Sequence, residues 1–397
     1  MSSSLRRLGF PLRLAGARLG AGGGRVALVG VGVIAGAAVL AAVLAGRLVM
    51  QDRALAQASS RLAPADRVVQ VTWSGAISGT WGSLDRFVAP RMRTVSREPP
   101  AAAMLFREAS IQRRLVNLRA VNDIGRYVQL LSGRLPKVCV PAHCEVLRLQ
   151  GTGPIPSTRT LRLIEVGRAH VKPDAPFAAF VLPVPPTEQI ARAIRYHTPQ
   201  PSPVVLANGV DGLSRTAELG TFYRSYAWFT PLAASDVHPW AVGAFGRKVQ
   251  RLAAQVETSS EGFQVTAPTD ALAAAAGASR VAARRLLLLG GEGGALLLAF
   301  TILAAAALRR NVTDARRRLT WFGARRWQVE LFTLGESTAL AAVGTLVGWA
   351  VGGAVAAAVA ARAGSPSWQV VSHALLDRAG VGSALAVAAV AGVLLYT

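Results

Sequence analysis

The sequence predicts an α-helical membrane protein with four transmembrane helices and a large α+β extracytoplasmic domain between helices 1 and 2. Three observations predict it. Four apolar, nearly uncharged runs are each long enough to cross a bilayer, which takes about 20 residues. The first two runs are separated by more than two hundred residues of mixed, turn-punctuated sequence. The chain of 397 residues is 52% hydrophobic yet carries a formal net charge of +23. A soluble globule accommodates those two values poorly. A membrane protein reconciles them by placing apolar residues in spans and Arg in the flanking loops.

Residues 1–25 form a basic tail with Arg6, Arg7, Arg13, Arg18 and Arg25 and no acidic residue. The first span is placed at 26–49, on twenty-one uncharged residues from Val26 to Gly46. This run exceeds the ~7–15 apolar residues of a cleaved signal, so an uncleaved anchor is expected. Residues 50–283 read as the folded domain, and 284–308 as a stalk end with the second span. In that span only Glu292 interrupts the uncharged run 286–308. Residues 309–330 make a basic loop, 331–361 the third span, 362–378 a short external loop and 379–397 the fourth span.

Orientation follows from the placement of Arg in short loops. The tail and the loop 309–330, with Arg309, Arg310, Arg316, Arg317, Arg318, Arg325 and Arg326, are expected in the cytoplasm. The loop 362–378 holds only Arg362, Asp377 and Arg378 and is expected outside. Arg280, Arg284 and Arg285 oppose this arrangement and are outnumbered. Glycines recur at four-residue spacing in the spans: Gly32 and Gly36, Gly290 and Gly294, then Gly344, Gly348 and Gly352. Such positions let helix backbones approach closely in lipid. Chance spacing in a Gly-rich chain gives the same pattern.

Within the domain, 67–73, 115–121, 144–150, 160–166, 203–207, 221–229 and 262–266 have strand character, punctuated by residues such as Gly75, Gly133, Pro136 and Gly151. Helices are expected at 186–197, at 240–256 and at 270–285. The second of these puts Phe245, Val249, Leu252 and Val256 on one face and Arg247, Lys248 and Arg251 on the other. The third follows Thr269 as an N-cap and runs into the second span as a stalk. The aromatics Phe222, Tyr223, Tyr226, Trp228 and Phe229 suit either a binding stripe or a buried strand.

Cys139 and Cys144 lie five apart. They read as a short-loop disulfide in an oxidising compartment, or as two free thiols. A zinc site would want four ligands, and only His143 is near. His143, His170, His197, His238 and His373 show no metal-ligand spacing. No nucleophile elbow occurs, so no catalytic residue, cofactor or metal is expected. Nucleic acid is an unfavoured partner, because the Arg residues flank apolar runs and line no aromatic-bearing surface.

The loop between the second and third spans is the most specific stretch. Thr313 or Asp314 can cap a short helix that Gly323 ends. Leu319 and Phe322 fall on one side, with Arg316 and Arg317 elsewhere. Trp321, Phe322 and Trp327 exceed what a loop that only sets topology requires. Here the sequence resembles the FtsX-like (MacB-type) permease family of ABC transporters. That family has basic residues, Leu, then Gly-Ala-Arg, an apolar residue and an acidic residue early in the next span. Arg316, Arg318, Leu319, Gly323, Ala324, Arg325, Val329 and Glu336 match it. The layout of one span, a large domain and three spans matches as well. Gly-Arg-Leu-Pro at 133–136 looks like a feature of actinobacterial members.

The resemblance implies a multi-pass protein of a bacterial cell membrane. The loop segment with Arg316, Arg318, Leu319, Trp321, Phe322, Gly323, Ala324 and Arg325 would dock on a separate ATP-binding subunit. Nucleotide-driven closure there would move the spans, and the stalk would pass the motion to the external domain. The sequence has no Gly-x4-Gly-Lys-Ser/Thr phosphate loop, so the energy would come from another chain. A homodimer or a second permease would complete the transmembrane part, within membrane lipid. The apolar end of the chain fits either a truncated half of a longer permease or a minimal four-span one. Two acidic residues stand at membrane depth. Glu292 is a functional candidate or an outward-snorkelling partner of Arg284 or Arg285. Glu336 suits an ion pair with Arg325 or Arg326. The competing function is a membrane-anchored sensor or ligand-binding protein.

Overall fold

The structure is a computed structural model and describes residues 24–75, 81–96, 98–140, 142–181, 202–259, 261–362 and 367–396. In chain order its elements begin with α1 (Gly24–Arg61), β1 (Val68–Gly75) and α2 (Trp81–Met92). There follow β2 (Ala101–Ile111), β3 (Arg114–Val121), β4 (Val128–Gly133), β5 (Cys139–Val140), β6 (His143–Gln150) and β7 (Leu163–Val171). Next come α3 (Ala178–Val181), β8 (Val204–Asn208), α4 (Val210–Ser214), β9 (Arg224–Pro231), α5 (Val242–Glu257) and β10 (Phe263–Thr266). The last elements are α6 (Thr269–Trp321), α7 (Arg326–Arg362), α8 (Ser367–Leu376) and α9 (Arg378–Tyr396). Two compact units result: residues 56–275, and residues 1–55 with 276–397.

The first unit is built on one mixed sheet in the order β10-β1-β9-β2-β3-β8-β6-β7-β4, with β5 beside β6. β3–β8 and β6–β7 run parallel, and the other pairs are antiparallel. Cross-strand neighbours share a face, so the register assigns the core. Tyr226 lies opposite Trp73 on one side and Met104 on the other. Those residues and Trp228 form one buried face, where Trp81 of α2 stacks on Trp228 at 5.2 Å between ring centroids. Trp228 Nε1–H donates to Asp85 at 2.8 Å, which satisfies the polar end of a buried indole. Burial of each such aromatic contributes about 1.5–3 kcal/mol. The opposite face carries Ala103, Val121, Leu147, Leu206, Ala227 and Phe229 against Phe177 and Val181. The stretch containing Tyr226, Trp228 and Phe229 is therefore a core strand, and Tyr223 alone among its larger aromatics is well exposed.

The run 240–256 becomes α5, with Phe245, Val249, Leu252 and Val256 buried as its periodicity predicts. The helix expected at 186–197 lies outside the described residues. Strands β2 and β4 and helix α2 carry no clear periodic signal. β2 opens Ala-Ala-Ala and contains Arg and Glu, all poor strand formers. It is a strand because β9 and β3 pair with it on both sides.

Among the described residues, three helices are long and apolar enough to cross a membrane: Leu28–Arg61, Arg326–Arg362 and Arg378–Tyr396. The apolar run 286–308 lies inside α6, whose backbone is helical throughout. Glycines of α7 fit against α1. A Cβ on Gly348 would overlap the Ile34 carbonyl, and one on Gly352 would overlap that of Ala38. A Cβ on Gly290 of α6 would meet Val43 at 2.5 Å. The other half of the glycine pattern behaves differently. Gly36 and Gly294 have open space where a Cβ would stand, and they border an apolar cavity of about 500 Å³.

Three boundaries differ from the sequence reading. The sheet unit runs 56–275 where 50–283 was expected, because helix continues to Arg61 and resumes at Thr269. Residues 362–378 contain helix α8 where a loop was expected, with Val371 buried against α1 and α7 at Ala45 and Ala356. No separate short helix is capped at Thr313 or Asp314. These residues lie inside α6, since neither Gly nor Pro interrupts 295–322.

Candidate docking corner between two long helices

α6 ends at Trp321, and α7 begins at Arg326. Gly323 adopts φ +81°, the left-handed conformation that terminates helices, and its N–H donates to Thr320 O at 3.0 Å. The next helix is capped at once. Gln328 Oε1 accepts from Arg325 N–H at 3.0 Å, while the Arg325 carbonyl accepts from Gln328 and Val329 N–H. This is one arm of a capping box, with Gln three residues into the helix. Val329, Phe332 and Thr333 are buried and anchor the start of α7.

The corner's outer surface is apolar and basic. Phe322 is 89% exposed and Trp321 79% exposed, and Trp327 is also exposed. Arg317, Arg325 and Arg326 are exposed beside them, and Ala324 is half-buried. The side chains of Arg316, Arg318 and Leu319 lie outside the described residues, although their backbone belongs to the last turns of α6. Two neighbouring aromatics this exposed make an apolar patch at the corner. Nothing in the sequence pattern singles out Gln328. A Gln three residues after a turn is a weak cap signal without the N-cap Ser or Thr.

Glu292 and Glu336 lie on different helices, α6 and α7. Glu292 is exposed on α6, on the helix stripe that holds the exposed Leu288 and Leu296. Arg284 lies on that stripe two turns away, about 12 Å along the axis. No ion pair joins Glu292 to Arg284 or Arg285 among the described residues. Glu336 is half-buried on α7.

In the sheet unit, Cys139 and Cys144 face each other across β5 and β6 and are joined as a disulfide, with Sγ–Sγ 2.01 Å. The segment 133–138 is braced beside them. Arg134 donates to both carboxylate oxygens of Glu145, at 2.7 and 2.5 Å, and Lys137 N–H adds a third bond at 2.8 Å. These bonds hold the nearly buried Glu145 carboxyl down to about 2. His143 Nε2 lies 3.8 Å from the same carboxylate. Among the described residues no cluster of three His, Cys, Asp or Glu side chains is placed to hold a metal.

No protein-family model matches this chain, and no curated protein matches it.

Proposed function

We propose that the chain is the permease subunit of an ATP-binding-cassette system, of the FtsX-like (MacB-type) kind, in a bacterial cell membrane. On this reading it crosses the membrane four times, the run 286–308 within α6 being the second span. Both termini and the corner between α6 and α7 face the cytoplasm, and the sheet unit lies outside. The corner docks in an apolar groove of a separate ATPase subunit. A second permease, or a second copy of this chain, completes the assembly. The single observation that carries the reading is the exposed Trp321–Phe322 pair, ringed by Arg, at the junction of two long helices. Burying such a pair in a groove is the usual energetic core of an interface. α6 supports the mechanical part, because one uninterrupted helix carries both the docking end and the residues that follow β10.

The test is co-purification. The full-length protein is expected to retain an ATP-binding subunit, and Leu319→Glu or Phe322→Glu to abolish that retention. Retention by both variants would remove the dock.

A further inference from the structure

β4 ends the sheet. It pairs with β7 on one side and with no strand on the other among the described residues. A free edge offers unpaired N–H and C=O groups, and proteins normally blunt such edges with charge, proline, β-bulges or very short strands, of which β4 has only the bulge. β4 has six residues, Val-Gln-Leu-Leu-Ser-Gly, with no charge and no proline. Its register against β7 shifts between Leu130 and Ser132, so Leu131 is the bulged residue and stands 57% exposed. Leu130 in the same strand, Leu135 and Val138 in the loop that follows it, and Val140 in β5 are also exposed. The edge is also rigid. Arg134 N–H donates to Val166 O at 3.0 Å, the Arg134–Glu145 pair braces the loop, and the disulfide closes its far end. A rigid acceptor loses little conformational freedom on binding.

The charge around the edge is mixed, with a positive excess. Residues 123–174 hold eight Arg and Lys against four Asp and Glu. Glu145 pairs with Arg134, and Glu165 with Arg148 and Arg168, which leaves five basic residues against the exposed Asp123 and Asp174. Arg126, Lys137, Arg168 and Lys172 are exposed to solvent. Arg168 lies opposite Ser132 of β4.

We propose that β4 is an acceptor edge for an extended acidic segment of a partner protein, which adds to the sheet as a further strand. Main-chain hydrogen bonds along β4 give the affinity. Apolar side chains of the segment seat on Leu131 and Leu135, and its carboxylates lie beside Arg126, Arg168 and Lys172. The inference stands on the sheet unit and is independent of docking at the α6–α7 corner.

The experiment uses the full-length protein in detergent micelles. The probes are a short fluorescent peptide of alternating Val and Glu and its counterpart of alternating Val and Lys. The Val/Glu peptide is expected to bind about tenfold more tightly than the Val/Lys peptide, weakening as salt is added. Hydrogen exchange of the amides at 128–133 is expected to slow on binding. Leu131→Asp, at an exposed position, is expected to keep the parent melting temperature and to lose about tenfold in affinity. Arg168→Glu is expected to narrow the preference for the acidic peptide. Equal binding of both peptides, or binding that leaves exchange at 128–133 unchanged, would overturn the proposal. So would slow exchange there before any peptide is added, since another stretch of this chain or a second copy would then occupy the edge. None of these outcomes depends on the ATPase subunit, so the two readings fail separately.

Discussion

Arg134 and Glu145 show how one pair fixes a loop. Glu145 is nearly buried, and three hydrogen bonds to its carboxylate replace the water it loses. Its pKa in the folded protein is about 2, below the ordinary carboxylate value of 4.5. A depressed carboxylate contributes stability above its unfolded pKa and loses it as pH falls through the folded one. The sheet unit is therefore expected to weaken between about pH 5 and pH 2. Arg134→Met removes the main cause of the depression, so the variant starts less stable at pH 7. Its melting temperature and that of the parent are expected to converge as pH approaches 2. Parallel curves across that range would show that the pair does not hold the loop.

At the scale of elements, glycine spacing has two different consequences in this chain. Along α7, Gly348 and Gly352 leave no room for a side chain, because backbone carbonyls of α1 occupy the space. At Gly36 of α1 the space is open toward the cavity. Gly352→Leu is expected to cost about 1–3 kcal/mol through overpacking, as the helices are forced apart. Gly36→Ala is expected to be neutral or slightly stabilising, since Ala is the better helix former by about 1 kcal/mol. Thermal unfolding of the two variants in the same detergent compares them directly. Similar losses at both sites would show that α1 and α7 do not pack through this stripe. The repeat was legible in the sequence, but which glycines touch a neighbour was not. Spacing reports a helix face and carries no information about what lies opposite it.

The same division runs through the other elements. β1 and β6 follow from β-branched and alternating runs. β2 does not, since an Ala-rich strand is stabilised by the partners on its two sides. The corner's Arg, Trp and Phe residues were visible as a cluster. Their arrangement depended on α6 continuing past Thr313 to Trp321, which removed the short capped helix and left the aromatics at a turn. The absence of a helix breaker between 295 and 322 could have signalled that continuity.

For the whole molecule, the proposed topology puts the α6–α7 corner and the β4 edge on opposite sides of the lipid. Cysteines introduced singly as Ala324→Cys and Ser132→Cys test this, because the native Cys139 and Cys144 are bonded to each other and do not compete. In intact cells a membrane-impermeant thiol reagent is expected to label the second and spare the first. After permeabilisation it is expected to label both. Labelling of Ala324→Cys in intact cells would reverse the topology and take the ATPase dock with it.

Membrane-length helices were determined by the sequence alone, because the length of an uncharged apolar run and the Arg at its ends are local, additive properties. The basic, aromatic character of the corner was local in the same sense. Strand order, the contact of Gly348 and Gly352 with α1, the burial of Glu145 and the place of β4 at the end of the described sheet were decided only by tertiary structure. Each depends on a partner distant in the chain, and no window of sequence specifies which partner wins.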